Sequence, residues 1–399
     1  TNVVGQLAVT GGISSTTRTD IQTAADVGPL NATTLDNSAA VGLNITYGTS
    51  NVAAGDGIAI AMGISGRGRS FIGNTNEDAN NDASNFVVWT ENGGVSAEKL
   101  RIKGDGSIIT TTPGSNNTRI GLSSGVNLAS GSFRNTLIGD YAGEDITTGD
   151  YNIGVGYQAL TQLTTGERNT ALGYQTLRSL TSTAAAYNVA IGFAAGELMT
   201  TGAYNTLVGS LSGDAVTTGA NNTALGYISL SQATTGSSNV ALGYSALTAT
   251  TTASNNTAIG TQAGGQNTTG ANNVAVGKDA LYSNTTASGN TALGFEAGKD
   301  IVTGTGLTAT GYKAAENTTG NNNSAFGYNV MQVNTSGSQN SAFGAFALDA
   351  NSSGGENSAF GYQALSANTT ADNNTAFGYT AARDNTTGTS NTALGVNSL

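Results

Sequence analysis

The sequence predicts an all-β chain in three parts: a small N-terminal β-sandwich at residues 1–112, a transition at 113–134 and a parallel β-solenoid at 135–399. Two observations predict this organisation. A motif of the type Asn-Thr-Ala-Leu-Gly-Tyr recurs about every 17 residues in the last part, whereas the first part holds short apolar runs separated by Gly, Asn and Asp. Turn-forming residues at this frequency interrupt helices and end strands, so both parts favour β-structure.

The N-terminal part contains six short runs with strand character, separated by turn residues. Such runs are typical of a small β-sandwich. The dipeptide Asp105-Gly106 is a common hairpin turn, so we expect the chain to reverse there. The predicted strands lie at residues 39–44, 57–62, 70–73, 85–90, 99–103 and 107–111.

An acidic loop in this part alternates oxygen-bearing side chains like the start of a calcium-binding loop. The alternation runs through Asp78, Asn80, Asp82 and Ser84. A calcium loop needs Gly at its sixth position and Glu at its twelfth, and here the twelfth is Trp89. We therefore interpret the segment as a solvated loop and predict no metal site.

The C-terminal part is a repeat in sixteen copies, each marked by a Gly, from Gly139 to Gly395. Thirteen of the fifteen intervals between these marker glycines are 17 residues. Apolar and polar residues alternate with period two around each glycine, and a polar turn follows, so each copy predicts one turn of a parallel stack. Two irregular copies, at residues 182–187 and 304–310, are candidates for recognition loops.

The residue four positions before the marker Gly is Asn in all copies except the one with Leu307. In a parallel stack, identical residues lie above one another, so these Asn side chains predict a hydrogen-bonded structural ladder. The ladder consists of Asn135, Asn152, Asn169, Asn188, Asn205, Asn222, Asn239, Asn256, Asn273, Asn290, Asn323, Asn340, Asn357, Asn374 and Asn391.

Large apolar residues recur one position before the marker Gly, as at Leu172 and Phe326, and we assign them to the core. One 17-residue turn buries little apolar surface alone, so we expect several parallel chains to share the core as a homotrimer. An aromatic residue follows the marker Gly in ten copies. These rings predict stacking along the rod, with a carbohydrate-binding surface as the alternative.

The composition excludes several function classes. The 399 residues include no Cys and no His, so thiolate chemistry, disulfides and the commonest general base are missing. The acid pairs Glu296 with Asp300 and Glu144 with Asp145 occupy variable polar positions and predict surface rather than catalysis. We therefore expect no enzyme activity and no cofactor.

Charge and hydropathy limit the partners. The chain has 14 Lys and Arg against 25 Asp and Glu, with a net charge of −11 and no basic cluster for phosphate binding. Its longest apolar runs, such as residues 58–62, are far shorter than the roughly 20 residues of a membrane span. We therefore expect neither a nucleic-acid partner nor membrane insertion.

The repeat unit, of the type Asn-Thr-Ala-Leu-Gly-Tyr-Gln-Ala-Leu, resembles β-roll repeats in the heads of trimeric autotransporter adhesins, and more closely repeats of bacteriophage tail fibres. The adhesin repeats are usually shorter than 17 residues, and the resemblance covers about two-thirds of the chain. It implies a left-handed parallel β-roll trimer, either intertwined or side by side. Residues 97–108 also resemble the Glu-Arg-Met-Arg-Ile…Asp-Gly signature of phage fibre proteins, with Lys99 and Leu100 in place of Arg and Met.

These resemblances imply a structural and adhesive fibre without catalysis. Its expected partners are itself, other virion tail proteins and a glycan or protein of the host surface. Its expected location is the virion tail or the extracellular cell surface. A bacterial trimeric surface adhesin is the alternative, followed by a polysaccharide-degrading tailspike, and the signature at residues 97–108 favours the phage fibre.

Overall fold

The computed structural model describes residues 57–64, 67–76, 84–92, 95–102, 108–109 and 116–399. The chain divides into two units, Thr1–Thr111 and Thr112–Leu399. Every regular element within the described residues is a β-strand. No helix in this part of the chain is long and apolar enough to cross a bilayer.

The described strands of the first unit form one antiparallel sheet, in which each strand pairs with the next along the chain. The second sheet of the predicted sandwich is not among the described residues, and neither are the predicted strand at 39–44 and the turn at Asp105-Gly106. The five strands are β1 (Gly57–Ile64), β2 (Arg67–Asn76), β3 (Ser84–Asn92), β4 (Val95–Ile102) and β5 (Ile108–Ile109).

The second unit is a parallel β-solenoid, as the repeat predicts. It contains seventeen three-residue strands, one per turn. These are β6 (Thr118–Ile120), β7 (Thr136–Ile138), β8 (Ile153–Val155), β9 (Thr170–Leu172), β10 (Val189–Ile191), β11 (Thr206–Val208), β12 (Thr223–Leu225), β13 (Val240–Leu242), β14 (Thr257–Ile259), β15 (Val274–Val276), β16 (Thr291–Leu293), β17 (Thr308–Thr310), β18 (Ser324–Phe326), β19 (Ser341–Phe343), β20 (Ser358–Phe360), β21 (Thr375–Phe377) and β22 (Thr392–Leu394).

Every strand pairs with its chain neighbours at the same repeat position, so that Ala224 lies between Leu207 and Ala241. The pairing continues from β6 to β22 through both irregular copies, including the junctions of β9 with β10 and of β17 with β18. At about 4.8 Å per strand, the stack is about 77 Å long. Its first turn, around Asn117, precedes the sixteen copies found in the sequence.

The core of the solenoid lies on the opposite strand face from the one predicted. The third strand residue, Leu172 and its equivalents, faces outward, whereas the middle residue, such as Ala171, is fully buried. The segment between the marker glycine and the polar turn supplies the larger buried side chains, including Leu177 and Leu180. Because these residues fill most of the narrow coil, the middle strand residue is usually Ala. Where it is Leu207, Gly213 lies against it, and a Cβ there would be 2.8 Å from the Leu207 side chain.

The marker glycines hold the turns at their observed spacing. Their φ angles lie between +118° and +147°, a region that L-residues rarely adopt. A Cβ atom on Gly226 would lie 2.4 Å from the carbonyl oxygen of Gly243 on the next turn. The glycine is therefore required both by the backbone angle and by the close approach of the following turn.

Candidate functional site on the solenoid surface

The predicted Asn residues lie in a buried column along the stack. Asn222 illustrates the pattern, because its Oδ1 accepts a hydrogen bond from the backbone N–H of Asn239 at 3.0 Å. Its Nδ2 donates to the carbonyl of Gly236 at 2.9 Å, which closes the polar turn before the next strand. With both ends of the amide occupied by backbone, Asn222 is not available to a ligand.

A second column of Asn, which the sequence analysis missed, lies in the polar turns. Asn334, Asn351 and Asn368 are buried, and the Nδ2 of each later one donates to the Oδ1 of the one before, at 3.0 and 3.1 Å. Each also donates to the carbonyl three residues ahead, as Asn351 does to Gly354 at 2.8 Å. Their 17-residue spacing was the signal that could have revealed them.

The outer face of the solenoid sheet carries a row of mostly apolar residues, which we call the strand column. It consists of the third residue of each strand from β6 to β22, and all but Thr310 are apolar. Leu225 is 49% exposed and Phe377 is 57% exposed, although Leu and Phe are among the residue types most often buried in proteins. The ring centroids of Phe326, Phe343 and Phe360 lie 4.7 Å apart in successive turns.

A second exposed row, the aromatic column, consists of the residues that follow the marker glycines. Its rings stack on one another: the centroids of Tyr157 and Tyr174 are 5.3 Å apart, and those of Tyr174 and Phe193 are 5.2 Å apart. The aromatic rings therefore stack along the rod as expected. The column also includes Tyr227, Tyr244, Phe295, Tyr312, Tyr328, Tyr362 and Tyr379.

The acid pair Glu296 and Asp300 is engaged in structural contacts. The Lys313 ammonium donates to Glu296 at 2.9 Å and to Glu316 at 3.1 Å, and Lys299 lies 3.2 Å from Glu296. Asp300 accepts a hydrogen bond from the Ser283 hydroxyl at 3.0 Å. A glycosidase needs one carboxyl with a raised pKa, whereas Lys313 holds the pKa of Glu296 below its usual range.

This ion network makes a pH-dependent contribution to stability. The lowered pKa of Glu296 stabilises the fold above the ordinary glutamate pKa, and that contribution is lost as the pH falls through the folded-state pKa. We expect Lys313→Met to lower the free energy of unfolding by about 1 kcal/mol at pH 7. The difference should shrink below about pH 4.3, as measured by urea unfolding at several pH values.

The control for this experiment is Arg383→Met, because the ion pair of Arg383 with Asp384 is largely exposed. We expect this variant to unfold like the wild-type protein at every pH. A difference between Lys313→Met and wild type that stayed constant from pH 3 to pH 7 would contradict the role assigned to Glu296.

Asp214 is a partly buried carboxyl near the middle of the solenoid. Partial burial raises its pKa, and the nearby Glu197 carboxylate raises it further. Glu197 itself is paired with Arg178 at 2.8 Å. One carboxylate of this pair is therefore occupied by a cation.

The described residues contain no group of three or more acidic, His or Cys side chains that could hold a metal ion. The calcium candidates Asp78, Asn80 and Asp82 lie outside them. Within the solenoid, a void lined by Leu247, Asn256 and other residues has a volume of about 10 Å³, room for at most one water molecule. The chemically accessible features of the solenoid are therefore its surface columns.

Comparison of the chain with protein-family models, with curated proteins and with solved structures found no match. The features that bear on function are therefore the two surface columns and the geometry of the stack.

Proposed function

We propose that the protein is a non-enzymatic fibre component of a phage tail, whose solenoid forms a stiff segment that attaches to the host surface. The observation that carries this proposal is the unbroken parallel register from β6 to β22. A stack of this kind is long, narrow and uniform, as a fibre requires. The resemblance of residues 97–108 to phage fibre proteins favours this origin over a bacterial adhesin.

Self-association into a homotrimer through the strand column is part of the proposal. This column exposes large apolar side chains on every turn but one, and exposed apolar areas of this extent mark interaction surfaces. A strip about 77 Å long and ~10 Å wide approaches the ~800 Å² that each partner buries in a standard interface. Parallel chains would place identical turns side by side and cover the column in all three copies.

Charged side chains in this strip should dissociate the trimer. We expect the double variant Leu225→Glu and Leu242→Glu to lower the mass in solution to that of one chain, 39.6 kDa. Each added carboxylate would be buried without a partner, at a cost of several kcal/mol. Light scattering after size-exclusion chromatography measures the mass.

The matched control places the same charges on nearby turns but in the polar turn, where Thr218 and Thr235 are exposed. The double variant Thr218→Glu and Thr235→Glu should keep the wild-type mass. A wild-type protein that already runs as a single chain would refute the trimer, whatever the variants do.

Host attachment is tested directly with labelled protein and a panel of bacterial cells. We expect saturable binding to some strains and no release of reducing ends from their capsule or lipopolysaccharide. Release of reducing ends would instead support the tailspike alternative. Absence of binding to every strain would contradict the adhesive role.

A further inference from the structure

The aromatic column is interrupted at three places between its first and last rings. One turn carries Ser210, two successive turns carry Thr261 and Lys278, and one turn carries Ala345. Each interruption removes a ring from a column in which neighbouring rings otherwise cover one another. The three interruptions therefore leave ring faces that need another partner.

The protein itself supplies such partners at two of these places. The Lys278 ammonium lies 5.3 Å from the ring centroid of Phe295 and covers its face. At Ala345, the ring of Phe346 enters from the next position of the turn. Its centroid lies 5.5 Å from that of Tyr328 and 6.1 Å from that of Tyr362. The Phe346 ring is edge-on to both, with interplanar angles of 68° and 84°. A one-turn interruption in this column thus has room for a six-membered ring, here in the edge-on orientation.

The interruption at Ser210 differs, because the position that corresponds to Phe346 holds Leu211. The walls are Phe193 and Tyr227, which are 52% and 51% exposed. The rings of Tyr174 and Tyr157 are 43% and 40% exposed, and that of Tyr328, which lies between Tyr312 and Phe346, is 50% exposed. The two wall rings are therefore at least as accessible to solvent as these three rings.

The size of this gap matches one ring. The walls are two turns apart, so about 9.6 Å of stack separates their positions. A ring midway would lie about 4.8 Å from each wall. Stacked aromatic pairs in this protein have centroid distances from 4.7 to 6.0 Å. The shortest of these distances belongs to the strand column, whereas stacked pairs of the aromatic column are 5.1 to 6.0 Å apart. An inserted ring would therefore contact both walls at a spacing that stacked rings of this solenoid already show.

The charge around the gap indicates which kind of ring it would bind. From residue 116 to the end, the chain has eight Lys and Arg against fifteen Asp and Glu, and the turns of Phe193 and Ser210 carry Glu197 and Asp214. Negative charge here disfavours anionic saccharides. A neutral pyranose offers apolar C–H groups to the aromatic walls and hydroxyl groups to Ser210, whose side chain can donate and accept hydrogen bonds.

We propose that Phe193, Ser210 and Tyr227 form a subsite that binds one neutral sugar ring of a surface glycan. This inference rests on the proposed adhesive function and specifies the class of ligand. Repeating neutral polysaccharides suit such a subsite, because a single sugar contributes weak affinity and several copies of the chain in one fibre multiply it.

The test uses saturation-transfer NMR on the full chain with methyl glycosides of neutral hexoses and N-acetylhexosamines at about 10 mM, a range suited to weak single-ring binding. We expect transfer to the C–H protons of at least one neutral glycoside. Ser210→Tyr places the chain's own ring in the gap and should weaken binding at least about tenfold. The fold should persist, because Tyr occupies this repeat position in other turns.

Thr261→Tyr is the matched control, since it adds a ring to the same column at another interruption. It should leave the binding unchanged. Phe193→Ala should weaken binding by removing one wall, which gives a second check independent of Ser210. The proposal fails if no neutral glycoside binds, or if Ser210→Tyr binds the glycoside as well as the wild-type protein does. It also fails if N-acetylphenylalanine amide binds more tightly than every neutral glycoside, a result that would indicate a protein partner.

Cell attachment separates this inference from the proposed function. If the wild-type protein and Ser210→Tyr attach equally well to cells, the subsite is wrong and the adhesive role stands. If the protein binds a neutral glycoside through this gap but attaches to no cell, the adhesive role is wrong and the subsite stands.

Discussion

Gly226→Ala is expected to destabilise the solenoid by about 4 kcal/mol or more. The φ angle of Gly226 is +143°, and an added Cβ would lie 2.4 Å from the carbonyl oxygen and 2.7 Å from the carbonyl carbon of Gly243. Both contacts are with backbone, so no side-chain rotation relieves them. The two turns would have to separate, and the strands β12 and β13 would separate with them.

The control is Gly395→Ala in the last turn. Gly395 also has a positive φ angle, +118°, but an added Cβ would meet no atom within 4 Å. We expect this variant to lose only about 1 kcal/mol, the cost of the backbone angle alone. Calorimetric melting of the two variants separates steric overlap from backbone strain, and equal losses would show that contact between turns is not the cause.

Asn222→Ala is expected to cost about 3 kcal/mol. The substitution removes the acceptor for the backbone N–H of Asn239 and the donor to the carbonyl of Gly236. Since Asn222 is fully buried, water cannot replace these partners without opening the turn. Because each turn contacts mainly its neighbours, we expect the damage to appear first as faster amide hydrogen exchange in the adjoining turns.

Thr223→Ala is the comparison for Asn222→Ala, because Thr223 is the next residue and its side chain is exposed. We expect a loss below about 0.5 kcal/mol in urea unfolding. If both substitutions had the same effect, the Asn column would not contribute the stability assigned to it. The position of Leu307 shows that the fold accommodates one turn without the amide, so Asn222→Ala should still fold.

The repeat spacing predicted the number of turns within one, the parallel pairing and the register. It did so because a fixed period forces residues such as Thr206 and Thr223 to occupy equivalent positions. The first turn was missed because Arg119 stands where the later copies have Ala, Leu or Gly, and because 18 residues separate Gly121 from Gly139. A terminal turn contacts one neighbour only, so its sequence is under weaker constraint.

The alternation of residue types along the strand could not predict which strand face points into the coil. Period two separates Ala171 from Leu172 but does not say which of them faces inward. The answer depends on which residues occupy the rest of the coil interior, among them the buried Leu177, four residues after the marker glycine. That residue has a φ angle of +49°, and no propensity rule anticipates a buried Leu in this conformation.

The equivalence of every junction between turns has a consequence at the level of the gene. Thr206 pairs with Thr223 and Thr223 pairs with Val240 in the same register, so any two turns joined at the same repeat position recreate a junction of the same kind. Unequal recombination between repeats can therefore lengthen or shorten the rod by whole turns without mispairing. The length of the solenoid and the side chains of a single turn can then change separately between lineages, the first by copy number and the second by substitution.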